Sequence, residues 1–165
     1  MRIGYGFDAH RLAKGRKLIL GGVQIESDVG ALGHSDADVL AHAVCDALLG
    51  AAALGDLGER YPASDARWKD ADSMELLSQC AAEVQRAGFT IANVDATIVV
   101  EQPRLGPHVR RMRENLSQRL NLSLAQVSVK AKSSEGMGYT GDGTGIAASA
   151  VALLEVGDAG TSNAR

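Results

Sequence analysis

The stretch from Ser35 to Gly50 constrains the fold of this chain most strongly, because its apolar side chains recur at the helical period. They form a single stripe made of Val39, Leu40, Ala43, Val44, Ala47 and Leu48. Ser35, with Asp38 three residues later, resembles a capping box and predicts the start of a helix, and Gly50 lies near its predicted end. A helix with one apolar stripe must pack on another layer, which the rest of the chain has to supply.

That layer is predicted to be a sheet, because strand and helix patterns interleave along the chain. The predicted strands cover 2–8, 17–25, 93–100 and 127–132, the further predicted helices cover 72–87 and 107–120, and the predicted loops cover 30–33 and 55–70. The run over 17–25 is one or two short strands that turn at Gly21-Gly22. The segment 145–155 fits either a helix or a final strand. The interleaving predicts an α/β or α+β class in which helices cover one face of a sheet.

Composition narrows the class of protein further. The 165 residues are 45% hydrophobic, enough for one core, so we expect a single catalytic domain over 1–157 and a flexible C-terminal tail over 158–165. A net charge of -3 with scattered Lys and Arg argues against a nucleic-acid partner. No apolar run is long enough to cross a bilayer, and the early motif leaves no room for a signal peptide. Cys45 and Cys80 lie in apolar helical patterns, which predicts buried thiols in a reducing, cytoplasmic setting.

Three side chains are candidate ligands for one metal ion. Asp8 and His10 bracket a small residue at the end of the first strand, where alternation points both to the same side. His42 follows on the predicted helix. Imidazole nitrogen and carboxylate oxygen suit zinc, and catalytic zinc sites commonly use three protein ligands. The pattern indicates a zinc site, although histidines that are merely hydrogen-bonded would show the same spacing.

Two polar loops are candidate phosphate sites. His34-Ser35-Asp36 precedes a helix whose free N–H groups suit a phosphate, although Ser35 would serve equally well as a simple cap. Ser133-Ser134-Glu135 follows a predicted strand, and its hydroxyls and carboxylate suit a phosphate with a hard divalent cation such as Mg²⁺. Both loops therefore favour a phosphorylated ligand.

Several motifs, taken together, carry a resemblance to a known family. They are Gly6–His10, Gly33–Asp38 leading to His42, Asp46–Gly58, Asn93–Asp95 and Val129–Glu135. From residue 1 to about 156 the chain resembles the 2-C-methyl-D-erythritol 2,4-cyclodiphosphate synthase family. The resemblance implies an α+β fold (an α/β sandwich) with a mixed β-sheet, helices on one face and a ferredoxin-like arrangement. It also implies a homotrimer around a central sheet-lined core, with each active site between two subunits.

The resemblance also implies an activity. Family members convert a cytidine diphosphate substrate, 4-diphosphocytidyl-2-C-methyl-D-erythritol 2-phosphate, into the 2,4-cyclodiphosphate and CMP in the non-mevalonate route to isoprenoids. The 2-phosphate attacks the β-phosphorus of the diphosphate, which makes such an enzyme a phosphorus-oxygen lyase. Two alternatives stay open. A zinc phosphohydrolase would release free phosphate, and a non-catalytic trimeric scaffold would melt when its metal is removed.

The resemblance assigns expected roles to residues of this chain. The zinc ligands, for one ion per subunit, are Asp8, His10 and His42, and the contact to a second ion, Mg²⁺ or Mn²⁺, is Glu135. The catalytic positions are His34 and Ser133. The substrate contacts are Asp8, His10, His34, Ser35, Asp56, Gly58, Tyr61, Asp65, Val100, Pro103, Gly106, Ala131, Lys132, Ser133, Ser134, Glu135, Tyr139 and Asp142.

Three further residues need separate comment. From its spacing, Asp46 is predicted to orient the imidazole of His42 behind the metal, or else to be a charge that faces solvent. Asp142 stands where some relatives have an arginine facing a trimer cavity that binds an isoprenoid diphosphate, and a carboxylate would repel that anion. Ala63 replaces an acidic residue of some relatives. We therefore predict neither the isoprenoid site nor a substrate contact from position 63.

Overall fold

A computed structural model describes residues 1–157 of the chain. Its strands are β1 (Arg2–Lys14), β2 (Leu18–Leu20), β3 (Val23–Ile25), β4 (Val29–Ala31), β5 (Phe89–Val99), β6 (Val127–Lys132) and β7 (Gly145–Val156). Its helices are α1 (Val39–Ala52), α2 (Leu57–Arg60), α3 (Ser73–Arg86), α4 (Val109–Leu120) and α5 (Gly138–Gly141), with 3-10 turns at Ala66–Trp68, Gly106–His108 and Leu124–Gln126. The tail predicted over 158–165 lies outside the described residues.

Five strands form one mixed sheet in the order β4-β1-β7-β5-β6. β7 runs antiparallel to both β1 and β5, whereas β5 and β6 are parallel. Asp8, Ala148, Ile98 and Ala131 are consecutive partners across the four main strands, so the middle of β1 lies level with the C-terminal ends of β5 and β6. The segment over 145–155, which fitted either a helix or a strand, forms most of β7. Its β-branched and small residues pair with β1 on one side and with β5 on the other. β2 and β3 form a separate hairpin that turns at the predicted glycine pair.

The helices cover one face of this sheet, as predicted. α1 packs across β1 and β7, α3 packs on α1, and α4 packs on β6. The apolar stripe of α1 is completely buried in the core. The opposite face carries Ile3, Tyr5 and Phe7 on β1, which are 74%, 63% and 50% exposed. Large apolar side chains in a row at such exposure are unusual for a face that meets only water.

Two predictions about the fold are wrong. The chain order of the large elements is β-α-α-β-α-β-β, whereas a ferredoxin-like arrangement is β-α-β-β-α-β. Sequence periodicity locates elements but does not specify which strand is inserted between two others. The N-terminal cap of α1 is Asp38 and not Ser35: Oδ1 of Asp38 accepts the N–H groups of Leu40 and Ala41 at 3.1 and 3.0 Å. The other carboxylate oxygen accepts the N–H of Gly22 at 2.8 Å, which ties the hairpin to the helix.

Several boundaries also differ from prediction. α1 continues two residues beyond Gly50, to Ala52. The next residue, Ala53, caps the helix in a left-handed conformation. β1 extends beyond the predicted end because β7 pairs with it up to Arg11, and β4, predicted largely as a loop, pairs with its last three residues, up to Lys14. β5 begins at Phe89 because β7 supplies a partner from that residue onward. Within residues 1–157, no helix is long and apolar enough to cross a membrane.

Candidate active site

The side chains of Asp8, His10 and His42 converge on one point, which we call the metal corner. Oδ2 of Asp8 lies 2.7 Å from Nδ1 of His42 and 2.9 Å from Nε2 of His10. The two ring nitrogens are 3.4 Å apart. Within residues 1–157 this is the only set of three or more His, Cys, Asp or Glu donors that lie within 4.8 Å of one another. The structure thus brings together the three side chains predicted to share one ion.

The metal corner forms because β1 and α1 approach each other closely. Gly4 and Gly6 lie on the same face of β1 as Asp8 and His10, since all four alternate along the strand. A Cβ on Gly6 would lie 2.0 Å from the backbone oxygen of Ala43, so no side chain fits there. His42 precedes Ala43 in α1, and the close approach therefore carries its imidazole to Asp8.

Charges and hydrogen bonds within the metal corner shift the pKa values of Asp8 and His42. Burial alone would raise the pKa of Asp8, but the hydrogen bonds and charges of His10 and His42 hold that pKa well below its usual range. Burial alone would lower the pKa of His42, but the hydrogen bond and charge of Asp8 raise it above the ordinary value of 6.5. A proton is therefore favoured between Asp8 and Nδ1 of His42. A cation that binds one carboxylate oxygen and two imidazole nitrogens replaces that proton, and this donor set fits zinc.

Two serine hydroxyls lie behind His42. Nε2 of the imidazole is 2.9 Å from Oγ of Ser73 and 3.1 Å from Oγ of Ser35. The prediction that Asp46 orients His42 is wrong, since its carboxylate accepts the N–H of Leu57 at 2.8 Å. That N–H belongs to the first residue of α2 and has no partner within its own helix. Asp46 therefore fastens the loop after α1, and the hydroxyl of Ser73 occupies the place behind the imidazole.

Sequence reasoning missed Ser73 because its partner is 31 residues away in the chain. The sequence identified it only as the first residue of a helix, which it is: Asp72 caps α3 just before it. Asp36, predicted only as part of a polar loop, contacts Ser73 through both the backbone N–H and the hydroxyl. A polar residue at a helix start beside an acidic loop is too common a pattern to reveal such a contact.

A cavity of about 210 Å³ opens beside the metal corner. Its wall contains His10, His34, Ser35, His42, Leu57, Gly58, Tyr61, Ala63, Trp68 and Leu76. Four predicted substrate residues, His34, Ser35, Gly58 and Tyr61, thus lie with two of the candidate metal ligands, His10 and His42. Nε2 of His34 donates to the backbone oxygen of Asp65 at 3.3 Å, so its imidazole is anchored by the loop. Trp68 and Leu76 were not predicted; they supply an apolar floor.

A second cavity, of about 580 Å³, lies at the ends of β5 and β6. It is lined by the loop over 100–107 together with Ala131, Lys132 and Ser133. Six predicted substrate residues are therefore brought together here: Val100, Pro103, Gly106, Ala131, Lys132 and Ser133. A cavity of this volume is within the range of small-molecule sites.

The remaining predicted residues do not line these two cavities of the described chain; they are Asp8, Asp56, Asp65, Ser134, Glu135, Tyr139 and Asp142. Asp56 caps α2 by accepting the N–H of Glu59 at 2.8 Å. Tyr139 lines a third cavity of about 380 Å³ with His10. Asp142 accepts the hydroxyl and the N–H of Thr144 at 2.6 and 2.9 Å, and these bonds lower its pKa. Glu135, at the exposed turn after β6, has a φ of 50°.

A mixed α+β fold with a candidate metal corner beside one cavity, and a second cavity at the ends of β5 and β6, is the arrangement of an enzyme rather than of a scaffold. The model of the YgbB family matches residues 1–155, and the chain belongs to that family. A 2-C-methyl-D-erythritol 2,4-cyclodiphosphate synthase of Syntrophomonas wolfei is 56% identical over 155 residues, covering 94% of this chain and 99% of the relative.

Solved structures agree with this assignment. The bifunctional IspDF protein of Campylobacter jejuni superimposes with a TM-score of 0.91 at 41% identity, covering 94% of this chain but 42% of that longer protein. A 2C-methyl-D-erythritol-2,4-cyclodiphosphate synthase with CDP bound superimposes with a TM-score of 0.86 at 39% identity, covering 93% of this chain and all 100% of that one. The family predicted from the sequence motifs is confirmed.

Proposed function

We infer that this chain is a 2-C-methyl-D-erythritol 2,4-cyclodiphosphate synthase that acts in isoprenoid biosynthesis. The observation that carries the inference is the metal corner, which is built in a member of this family beside a cavity that holds His34 and Ser35. The substrate would be 4-diphosphocytidyl-2-C-methyl-D-erythritol 2-phosphate. Its 2-phosphate oxygen forms a bond to the β-phosphorus, the bond from that phosphorus to the bridging oxygen breaks, and CMP leaves. The reaction is that of a phosphorus-oxygen lyase.

The chain would hold zinc through Asp8, His10 and His42. Zinc supplies Lewis acidity at a phosphoryl oxygen and a fixed point for one phosphate. The three ligands come from β1 and α1 and are 11% to 23% exposed at their side chains, so they are held by packing while still open to a ligand. In-line phosphoryl transfer depends mainly on positioning and charge neutralisation, which a rigid ligand set favours.

Other residues would position the two ends of the substrate. His34 lies in the wall of the same cavity as two of the residues that would bind zinc, and we assign it to stabilising the charge that develops on the phosphate there. The hydroxyl of Ser133 lies in the second cavity, which we assign to the cytidine end. Glu135, exposed at the turn after β6, would contact Mg²⁺ or Mn²⁺ bound to the diphosphate. The solved relative with CDP bound supports a nucleotide ligand.

We further propose that the active protein is a homotrimer whose sites are shared between subunits. In one chain, the metal corner on β1 and the second cavity on β6 are three strand spacings apart, which is about 14 Å. The exposed row of Ile3, Tyr5 and Phe7 gives the sheet an apolar face suited to contact with another subunit. The two buried free thiols, Cys45 and Cys80, are consistent with a cytoplasmic location.

Phosphorus NMR tests the activity directly. The purified protein is mixed with the substrate, zinc and magnesium, beside an Asp8→Ala variant and an exposed control, Asp28→Asn. We expect CMP and a cyclic diphosphate from the wild type and the control, but not from Asp8→Ala. Free phosphate instead would identify a phosphohydrolase, and unchanged substrate with a zinc-loaded protein would leave only a scaffold.

Subunit mixing tests the shared site. Asp8→Ala impairs the metal side and Ser133→Ala impairs the nucleotide side, so each variant alone should be nearly inactive. If one site uses both subunits, mixed trimers contain some sites with neither change, and activity should return on mixing. If each site is built within one chain, mixing restores nothing.

A further inference from the structure

We propose that Ser73 and Asp36 are positioning residues that fix the imidazole of His42 with Nδ1 free for the metal and the proton on Nε2. The proposal rests on the proposed metal site at Asp8, His10 and His42, and it assigns a task to two residues that do not touch the ion. A chain of contacts runs from Asp36 through Ser73 to His42, and the donors and acceptors along it determine where each proton lies.

The first step is the direction of the bond between Ser73 and Asp36. The hydroxyl of Ser73 donates to Oδ1 of Asp36 in a short contact, and the N–H of Ser73 donates to Oδ2 at 3.2 Å. Oδ1 also accepts the N–H of Asp38 at 3.2 Å. An ionised carboxylate only accepts, and all three of its partners here are donors. The single proton of the Ser73 hydroxyl is therefore committed to Asp36.

The second step follows from that commitment. With its proton directed to Asp36, the oxygen of Ser73 faces Nε2 of His42, 2.9 Å away, as an acceptor. Nε2 must then carry a proton and donate it. When His42 binds a metal its imidazole is neutral, so Nδ1, the other nitrogen, carries no proton and directs its lone pair to the side where Asp8 and His10 lie. This is the nitrogen that the metal corner needs.

Ser35 touches the same nitrogen but does not fix it. Its oxygen lies 3.1 Å from Nε2 of His42 and accepts the N–H of Ala37 at 3.2 Å, while its own proton has no committed acceptor. Its contact with the oxygen of Ser73 is longer, at 3.4 Å. Ser35 can therefore either donate a hydrogen bond to Nε2 of His42 or accept one from it, whereas Ser73 can only accept.

The packing suits a positioning role. Ser73 is fully buried and is the first residue of α3, so its hydroxyl is held by the helix that packs on α1. Asp36 lies in the loop before α1 and bonds to the start of both helices through Ser73 and Asp38. Side chains that bond to the outer nitrogen of a metal-binding histidine typically change metal affinity 10–100-fold when removed.

The test compares Ser73→Ala with Ser78→Ala, a serine of the same helix whose hydroxyl bonds only to the backbone oxygen of Met74. Zinc affinity is measured by chelator competition, and nitrogen-15 NMR of the zinc-loaded protein reports which ring nitrogen of His42 carries the proton and how fast that proton exchanges with water. We expect Ser73→Ala to weaken zinc binding about 10–100-fold and to accelerate exchange at Nε2. Ser78→Ala should change neither.

A second pair of variants keeps the outcome decisive if Ser73→Ala does not fold. Asp36→Asn removes an acceptor-only partner and should accelerate the same exchange, whereas Ser73→Thr retains the hydroxyl and should preserve the Nε2 proton. Unchanged zinc affinity and unchanged exchange in Ser73→Ala, or in Asp36→Asn where only that variant folds, would overturn the proposal. So would a metal found on Nε2 of His42 in the wild type.

The same preparations separate this proposal from the proposed function. Product formation is assayed independently of zinc binding. A wild type that binds zinc but makes no cyclic product refutes the function, while weaker zinc binding in Ser73→Ala still supports the positioning role. If the wild type makes the product, and Ser73→Ala has normal zinc affinity and normal proton exchange, only the positioning role is refuted.

Discussion

The metal corner and the second cavity are built in opposite ways. The metal corner takes its ligands from the side chains of β1 and α1, and these are bonded to one another and to Ser73 behind them. The second cavity is formed by the loop over 100–107 and the end of β6, and its volume is larger, at about 580 Å³. One region is held by hydrogen bonds among its own side chains on regular elements, and the other is formed mainly by a loop.

The difference matches what each region would have to do. Phosphoryl transfer requires donors placed within a fraction of an ångström, and elements of regular structure hold side chains more exactly than loops. Recognition of a nucleotide end needs shape and a few backbone groups, which a loop supplies. We therefore expect changes at the metal corner to abolish chemistry, and changes in the wall of the second cavity other than at Ser133 to weaken binding.

Asp8→Asn should have the largest effect. It removes the negative charge between two imidazoles while keeping the shape of the side chain, so the corner loses its attraction for a dication. We expect kcat/KM to fall by about 10³-fold or more, with zinc content reduced in parallel. Metal analysis and steady-state kinetics check both. Full zinc occupancy with normal turnover would show that the corner is not the reactive end.

Gly6→Ala should be the next largest, acting on stability. Its new Cβ would lie 2.0 Å from the backbone oxygen of Ala43, so α1 must move away from β1. We expect a loss of about 2–3 kcal/mol in unfolding free energy and weaker metal binding. Gly50→Ala is the matched control, because nothing lies within 4 Å of a Cβ there, and it should be neutral or slightly stabilising. Equal denaturation midpoints for the two variants would contradict the close approach.

Ala131→Phe should sharpen the comparison at the second cavity. Ala131 is half-buried in the cavity wall, and a large ring there removes volume without touching the metal corner. We expect KM to rise about tenfold, equivalent to about 1.4 kcal/mol, with kcat and zinc content nearly unchanged. A loss of kcat at unchanged KM would mean that this cavity takes part in the chemical step.

The smallest effect concerns pH in metal-free protein. The lowered pKa of Asp8 adds stability above its ordinary value of 3.8, and that stability is lost as pH falls through the lowered pKa. The raised pKa of His42 adds stability below 6.5, and that stability is lost as pH rises through the raised value. Chelator-treated Asp8→Asn should therefore be less stable than wild type by about 1 kcal/mol, mostly between pH 3.8 and 6.5. A stability difference between Asp8→Asn and wild type that grows above pH 8 would contradict the direction of these two pKa shifts.

Much of the fold was predictable because local patterns encode it. The apolar stripe predicted α1 and the β-branched run predicted β5, each with boundary errors of a few residues. The motifs and their spacing predicted the family. Strand order was not predictable, since β7 is inserted between β1 and β5 by long-range pairing. The ambiguity over 145–155 had the same origin: small residues become a strand only when both neighbours are present.

The candidate site shows the same division at the level of single residues. The sequence by itself determined that Asp8 and His10 share a side of one strand and that His42 lies on a helix, because those relations are periodic. Only the tertiary structure decided what stands behind His42. It placed Ser73 there and directed Asp46 to Leu57, because hydrogen-bond partners are selected by how the helices pack and not by periodic spacing in the sequence.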